Sequence, residues 1–348
     1  MAPERETTPA TETPAFGRAA FDLPVDEIYL DGAFMSPLPR VARAAVDEAY
    51  LLKAQPWRVR YVDGLDIPDR VRSLFGRLTG FPTEEIGLTT GTGDGVTLLA
   101  HGLRYEPGER ILIGPDEFPS NVFPWLMARE RGAVVEFVGE SGRPLEPEML
   151  AAALRRPGRV RVVAAAAVHY VTGELHPLDE FARLAHDAGA LLAVDGTQAV
   201  GAVAWDWPSR GADALFCSGY KWCLGPYGTG AVWMRPDLRN GLVDVRGNWW
   251  ANAKARDIST LLEYAPLIRH GRRFDTSEAA AYLHTATLRA GLETVLAFGV
   301  ERIEAHHRAL QDRLADGLAG GPFRLVTSRR GTHRSPLLLL ALEGADDT

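Results

Sequence analysis

The chain contains only two cysteines, Cys217 and Cys223, among 348 residues. That is too few for a disulfide framework or a cysteine-rich metal site, so the sequence predicts no metal. Scarce cysteine suits a reducing compartment, and a cytoplasmic location is expected. Basic residues are not in excess either. The formal net charge of -7 gives nucleic-acid binding no electrostatic support.

Long apolar runs are also absent. The longest one near the C-terminus, residues 336–342, is far too short to cross a bilayer, and no membrane association is expected. The first twenty residues, MAPERETTPATETPAFGRAA, carry acids, prolines and threonines without an apolar centre, which argues against a signal peptide. Residues 1–20 are therefore expected to form a disordered tail.

What the sequence does contain is a regular alternation of apolar strands and amphipathic helices. Its 46% hydrophobic and 24% charged residues are ordinary for a globular protein, and its length suits about two domains. Strands are predicted at 111–113, 134–138, 162–168, 190–194, 214–217 and 231–234, with helices between most of them. Such alternation predicts an α/β layered fold with a mostly parallel sheet.

The two ends of the chain are patterned differently. Residues 27–31 (EIYLD) predict a short strand, followed by a turn and a helix at 37–51. Residues 277–318 are mostly helical, with Ala290-Gly291 as the expected joint. Residues 323–326 and 337–342 predict two strands of a smaller C-terminal domain.

The most unusual stretch is FCSGYKWCLGPYGTG, which has Lys221 at its centre. Burying an ammonium is costly, so a lysine at a strand end among aromatic residues invites a functional explanation. A partly desolvated lysine has a lowered pKa and can form a Schiff base. The alternative is a surface lysine after an edge strand.

Other polar residues follow the neighbouring strands, where open parallel sheets bind ligands. Thr92-Gly93 begin a helix, which favours an anion such as phosphate. Asp195 is either an N-cap or a partner for a protonated pyridine nitrogen, and Gln198 can donate to a phenolate oxygen. Phe118 is either a core residue or a stacking surface for a planar ring. Together with Lys221, these are the groups that pyridoxal 5'-phosphate requires.

Six segments in order resemble the class V aminotransferase family, which includes cysteine desulfurases, selenocysteine lyases, isopenicillin N epimerase-like enzymes and, more distantly, kynureninase. They are IYLDGAFMSPLP, LTTGTGDGVTLLAHGL, DEFPSNVFPW, VHYVTG, VDGTQAVG and CSGYKWCLGPYGTG. The last two carry a D-x-x-Q and an S-x-x-K motif, the most specific part of the resemblance, which covers residues 28–342.

The resemblance implies the pyridoxal-phosphate-dependent transferase fold of type I, with a mostly parallel seven-stranded sheet in a large domain and a smaller α+β domain. Residues 46–285 would form the large cofactor-binding domain and residues 286–348 the small domain. Residues 21–45 would pack with the small domain. Family members are homodimers with active sites at the interface, so a homodimer is expected.

The resemblance also implies individual roles. Lys221 would hold the cofactor as a Schiff base and later carry the Cα proton, while Asp195 would keep the pyridine nitrogen protonated. Phe118 would stack on the ring. The remaining expected cofactor-binding residues are Thr92, Gly93 and Ser218 at the phosphate, Gln198 at the ring hydroxyl, Tyr170 and Tyr220 beside the ring, and Thr276 (or Ser277), which would reach a neighbouring subunit's phosphate.

Some positions depart from the family pattern. Tyr170 stands where many members have Asn, and Tyr220 where desulfurases have His; both are closer to kynureninase-like sequences, whereas Gln198 is not. Desulfurases also need a mobile cysteine that accepts sulfur. Cys217 and Cys223 flank Lys221 at a strand end and turn, so they are expected to be small buried hydrophobes instead.

A further departure is the end of the chain at Thr348. Family members continue into a segment whose arginine binds the substrate carboxylate, so the small domain is expected to be incomplete. Arg246, Arg273 and His270 are candidate replacements, and Phe34 is a candidate for contact with the substrate side chain.

The leading functional hypothesis is an enzyme that forms an external aldimine with an amino acid, removes the Cα proton and eliminates a group from Cβ. It would be a C–S lyase acting on cysteine or a cysteine conjugate. The alternatives are an aminotransferase or epimerase, a kynureninase-like hydrolase, and a non-catalytic protein that binds pyridoxal phosphate.

Overall fold

The computed structural model describes residues 17–243, 246–277, 281–328, 334–342 and 344. Most of the expected N-terminal tail, residues 1–16, lies outside the described residues. None of the helices in the described ranges is both long and apolar enough to cross a membrane.

The centre of the fold is a seven-stranded sheet. Its strands are β1 (Ile86–Thr89), β2 (Arg110–Ile113), β3 (Val134–Phe137), β4 (Val160–Ala166), β7 (Leu191–Asp195), β8 (Ala214–Ser218) and β9 (Gly230–Met234), in the spatial order β1-β9-β8-β7-β4-β2-β3. β9 runs antiparallel to both of its neighbours, and the other pairings are parallel. The predicted α/β fold with a mostly parallel seven-stranded sheet is confirmed.

Helices cover both faces of this sheet. They are α1 (Arg40–Ala54), α2 (Asp63–Thr79), α3 (Thr92–Gly102), α4 (Phe123–Met127), α5 (Pro147–Leu154), α6 (Leu178–Asp187), α7 (Pro236–Gly241), α8 (Tyr282–Phe298) and α9 (Val300–Gly317). Two short antiparallel pairs complete the described elements: β5 (Val168–His169) with β6 (Glu174–Leu175), and β10 (Phe323–Leu325) with β11 (Leu340–Leu342).

Strand β4 shows why the sequence reads as a continuous apolar run. Its side chains alternate between two cores: Val163 and Ala165 pack on one face of the sheet, and Val162 and Ala164 on the other. Because helices cover both faces, no position on the strand has to be polar. Because β4, β7 and β8 are parallel, their carboxyl ends lie at the same edge of the sheet, and polar side chains can follow the strands there.

Two predictions about local structure were wrong. Residues 27–31 form no strand: they cross the surface as irregular backbone, with Ile28 and Leu30 more than three-quarters exposed. In the described chain no sheet edge pairs with them, so an apolar alternation alone cannot make a strand there.

The joint in the C-terminal helical region was also misplaced. The chain breaks at Gly299 between α8 and α9, where φ is +82°, and not at Ala290-Gly291. Gly291 lies inside α8 for a packing reason: a Cβ there would come within 2.4 Å of the carbonyl oxygen of Leu224. The sequence shows a glycine in a helix but not the backbone it faces. The strand expected at 337–342 is also shorter, since only Leu340–Leu342 pair.

Candidate active site

A cavity of about 770 Å³ lies at the carboxyl ends of the central strands. Its inner wall is polar and includes Lys221, Asp195, Thr92 and Ser218. Its outer wall is mostly apolar and comes from the N-terminal segment 21–37, from α8 and α9, and from residues 336–339. The fold therefore brings the predicted polar residues together in one cavity whose outer wall is mostly apolar.

Lys221 is placed by a tightly closed loop after β8. The carbonyl of Lys221 accepts from Leu224 N at 3.0 Å, and Gly225 N donates to Gly219 O at 2.8 Å. The side chain is 7% exposed, and its Nζ lies 5.4 Å from the centre of the Phe118 ring. Burial lowers the pKa of Lys221, while the charge of Asp195 partly opposes this. Burial thus favours the neutral, nucleophilic form of the amine.

Asp195 ends β7 and is equally buried. Its Oδ1 accepts from Thr197 N at 2.9 Å and from Thr92 Oγ1 at 3.3 Å. Burial raises the pKa of Asp195, and the hydrogen bonds and Lys221 lower it. Among the described residues, both hydrogen bonds to this carboxylate end on Oδ1, so Oδ2 is open to a cationic N–H from a ligand.

Three hydroxyl groups converge at the N-terminus of α3. Thr92 Oγ1 lies 2.5 Å from Thr197 Oγ1 and 3.2 Å from Ser218 Oγ, and Thr92 N donates to Ser218 Oγ at 3.0 Å. The preceding Gly91 has a φ of +149°, and a Cβ there would lie 3.2 Å from Ser218 Oγ. Hydroxyl and N–H groups gathered at a helix start suit a phosphate. Gly93 follows in the first turn, and a Cβ there would meet Ser120 at 3.5 Å.

Gln198 lines the cavity, but both ends of its amide are used by the protein. Nε2 donates to Ala33 O at 3.1 Å, and Oε1 accepts from Trp222 Nε1 at 2.8 Å. The residue therefore ties the N-terminal segment to the Lys221 loop. The bond to Ala33 uses one of the two N–H groups on Nε2, so a ring hydroxyl would have to bind through the other.

Aromatic side chains form the rest of the inner cavity. Phe118 and Tyr170 meet edge to face with centres 5.7 Å apart, and both are about 40% exposed, so their faces are free for a ligand. Tyr220 stacks on Tyr227 at 3.9 Å, and burial raises the pKa of Tyr220 to about 12. Tyr220 is thus a hydroxyl donor over the whole physiological pH range.

Other predicted residues lie apart from this group. Phe34 lines the cavity, at 60% exposure. Arg246 pairs with Asp94 and donates to Phe274 O at 2.9 Å, outside the cavity wall. His270 and Arg273 also lie outside the wall, with Arg273 Nη1 donating to Arg239 O at 2.8 Å. Thr276 N donates to Leu88 O at 3.0 Å, again outside the wall of its own chain's cavity.

Sequence reasoning missed several residues of the inner wall. Thr197 joins Asp195 to the hydroxyl group cluster and lies inside the D-x-x-Q motif, so its position was a usable signal. Glu117 is buried in the wall beside Phe118. His169 is 3% exposed, with Nδ1 2.9 Å from Thr172 Oγ1. For Glu117 and His169 no spacing rule distinguishes a wall residue from a surface one. No group of three or more potential metal ligands occurs in the described part of the chain.

The site fits pyridoxal 5'-phosphate by its own chemistry. One cavity contains a buried amine of lowered pKa, a buried carboxylate with one open oxygen, a helix N-terminus lined by hydroxyl groups, and a partly exposed aromatic ring. Each matches one part of that cofactor: its aldehyde, ring nitrogen, phosphate and ring face. This fold and site define the class of type I pyridoxal-phosphate enzymes.

Residues 28–346 match the family model for aminotransferase class V, and the chain belongs to this family. It is therefore a pyridoxal-phosphate-dependent enzyme, as the sequence predicts.

Among curated proteins, it is 31% identical over 228 residues to a probable cysteine desulfurase of Methanothermobacter thermautotrophicus, a match that covers 64% of this chain and 56% of that protein. It is 27% identical to cysteine desulfurase CsdA of Escherichia coli, over 95% of this chain and 85% of that protein.

Solved structures show the same fold. A cysteine desulfurase from Thermococcus onnurineus superimposes with a TM-score of 0.77 at 23% identity, covering 91% of this chain and 79% of that one. The cystine C-S lyase C-DES, in complex with its reaction product cysteine persulfide, gives 0.81 at 19% identity, covering 91% and 84%. At these identities the likeness concerns the fold alone.

Proposed function

We propose that this enzyme is a C–S lyase that cleaves the Cβ–S bond of cysteine or of a cysteine conjugate. The observation that carries this proposal is the placement of the two cysteines. Cys217 and Cys223 are 3% and 0% exposed, with their sulfurs 3.9 Å apart and directly flanking the Lys221 loop. The hydrogen bond with the Cys223 thiol raises the pKa of Cys217, and burial raises it further. A buried thiol of high pKa is a poor sulfur acceptor, so sulfur would leave with the product.

We assign the proton chemistry to Lys221. With its pKa lowered by burial, Lys221 Nζ would act as the base that takes the proton from Cα of a bound amino acid. The bound cofactor supplies an electron sink for the pair left on Cα. In the net reaction the Cα–H and Cβ–S bonds would break, the Cα–Cβ double bond would form, and the sulfur would depart as a thiolate. The enamine product hydrolyses to pyruvate and ammonia.

The other residues bind and orient. Asp195 holds a proton on the ring nitrogen, and Thr92, Gly93 and Ser218 bind the phosphate. Phe118 covers one ring face. We also assign Tyr170 and Tyr220 to the ring edge, and Gln198 to the ring hydroxyl through the N–H of Nε2 that does not bind Ala33.

We further propose a homodimer in which Thr276 serves the phosphate of a neighbouring subunit. Thr276 does not line the cavity of its own chain. Large apolar side chains are also exposed, both in the N-terminal segment and close to Thr276 in sequence: Ile28, Leu30, Leu262 and Tyr264 are each 80% or more exposed. Light scattering of the purified protein distinguishes a dimer from a monomer. Within this dimer, residues 46–285 would form the large domain and residues 286–348 the small domain.

The decisive experiment follows products from cysteine, cystine and S-substituted cysteines by mass spectrometry. The proposal expects pyruvate, ammonia and a thiol or persulfide in equal amounts, and no product from Lys221→Ala. A keto acid that retains the sulfur substituent would instead indicate transamination, and a racemised amino acid would indicate epimerisation. Anthranilate from kynurenine would indicate C–C hydrolysis. If no amino acid changes the cofactor's visible absorption, a non-catalytic binding role replaces the enzymatic one.

A further inference from the structure

Glu117 is a buried carboxyl group on the cavity wall that has no part in the roles described above. It lies in the loop after β2, directly before Phe118, and is 7% exposed. Its Oε1 accepts from Ala166 N at 2.8 Å, and its Oε2 lies 3.0 Å from Asn121 Nδ2. Both oxygens are therefore occupied by protein groups rather than by solvent.

These two hydrogen bonds connect three parts of the site. Asn121 belongs to the same loop as Phe118, so one bond braces the loop across its own turn. Ala166 is the last residue of β4 and pairs in register with Asp195 on β7, so the other bond ties the loop to the strand beside Asp195. The position of Phe118 relative to Asp195 is thus set through Glu117.

We propose that Glu117 is a positioning residue that holds Phe118 at a fixed distance from Asp195, so that a planar ring fits between the Phe118 face and the carboxylate. This inference rests on the proposed placement of the cofactor ring. The Phe118 ring is 42% exposed and meets Tyr170 edge to face, so the hydrogen bonds of Glu117 add to the packing that holds it.

The protonation state of Glu117 supports this role. Burial, with a contribution from Asp195, raises the pKa of Glu117 to about 7, against the hydrogen bonds from Asn121 and Ala166. Asn121 Oδ1 is buried without a partner in the described structure. Turning the Asn121 amide by 180° would place this oxygen where a protonated Glu117 can donate a hydrogen bond to it. The two amide orientations have the same shape, because the oxygen and the NH2 group exchange places.

The protonated form of Glu117 keeps a second negative charge away from Asp195. Other titratable groups around the loop are Asp116 on the loop itself, His169 on β5 and His176, which directly follows β6. Burial lowers the pKa of both histidines, so they stay neutral near pH 7. Because glutamine has the shape and hydrogen-bonding groups of a protonated glutamate, it is the natural substitute here.

The test measures binding of pyridoxal 5'-phosphate to apoprotein by quenching of tryptophan fluorescence at pH 7. The variants are Glu117→Ala, Glu117→Gln and, as a control at an exposed position nearby, Glu130→Gln. Glu117→Ala leaves the Ala166 N–H without its acceptor and frees the Phe118 loop, and we expect at least about tenfold weaker binding. Glu117→Gln and Glu130→Gln should bind within about threefold of the parent.

Parental affinity in Glu117→Ala overturns the proposal, and so does a Glu117→Gln variant as weak as Glu117→Ala. If Glu117→Ala does not fold, the pH dependence between 6 and 8.5 decides. The parent should lose affinity relative to Glu117→Gln as Glu117 loses its proton, and identical pH profiles contradict the inference. Failure of the site proposal is distinguishable, because the parent would then show no borohydride-reducible attachment of the cofactor to Lys221.

Discussion

Replacing Gly291 with alanine should destabilise the protein, although alanine is the better helix former. In an unobstructed helix interior, the change from glycine to alanine gains about 1 kcal/mol. At Gly291, however, a Cβ would lie 2.4 Å from Leu224 O and 2.6 Å from Cys223 O, whereas ordinary contact begins at 3.4 Å. The helix and the Lys221 loop would have to separate by 1.0 Å, the difference between these two distances.

The obstruction is backbone on both sides, so it cannot be relieved by rotating a side chain. Overpacking of this kind costs about 1–3 kcal/mol, and with rigid backbone we take the upper end. After subtraction of the helix gain, the net loss in free energy of unfolding is about 2 kcal/mol. Because Leu224 N also donates to the carbonyl of Lys221, the shift reaches the active-site lysine, and cofactor affinity should fall as well.

The assay is urea unfolding of the apoprotein, with Gly317→Ala as the matched control. Gly317 ends α9, and a Cβ there meets nothing within 4 Å, so this variant should be as stable as the parent or slightly more stable. If Gly291→Ala were as stable as Gly317→Ala, the close contact between α8 and the Lys221 loop would be refuted.

Three further predictions concern buried charges. Asp275→Ala should lower the free energy of unfolding by about 3–5 kcal/mol, because it leaves the buried Arg72 guanidinium without the carboxylate that binds it through two 2.6 Å hydrogen bonds. A decrease below about 1 kcal/mol in urea unfolding would contradict this prediction. Burial lowers the pKa of His307 to about 4, so the parent should lose stability as the pH falls from 6.5 towards 4. His307→Phe removes this group, and the difference in unfolding temperature between pH 7 and pH 4.5 should be smaller in the variant than in the parent. An equal difference in both proteins would contradict the prediction. Asp195→Asn should lower the pKa of Lys221 further, because the Asp195 charge raises it. When the rate of Lys221 acylation in apoprotein is followed against pH by mass spectrometry, its midpoint should lie at a lower pH in the variant. An unchanged midpoint would show that the two groups are not coupled.

The order of elements and the main site motifs could be read from the sequence because they depend on local pattern. A strand buried on both faces has to be apolar throughout, so β4 and β7 are visible as valine and alanine runs. The residues that end such strands lie at one edge of the sheet, so Asp195 and Lys221 were expected to be neighbours. The motif spacing around them also identifies the family.

Contacts between distant segments were not readable in this way. The 27–31 segment has the alternation of a strand, but whether a strand forms depends on a partner edge, which in the described structure it lacks. Gly291 looks like a joint until the backbone of Leu224 is seen against it. Gln198 looks like a ligand donor, yet its amide is bonded to Ala33, 165 positions away.

The sequence by itself therefore determined the α/β architecture and the family, and it led to the proposal that Lys221 holds the cofactor, because periodicity and motif spacing are properties of neighbouring residues. Only the tertiary structure showed that Glu117, next to Phe118, accepts a hydrogen bond from Ala166 N, and that Thr197 links Asp195 to the hydroxyl groups at α3. These roles depend on burial and on hydrogen bonds between segments far apart in the chain, and a carboxyl or hydroxyl group acquires its chemistry from those surroundings.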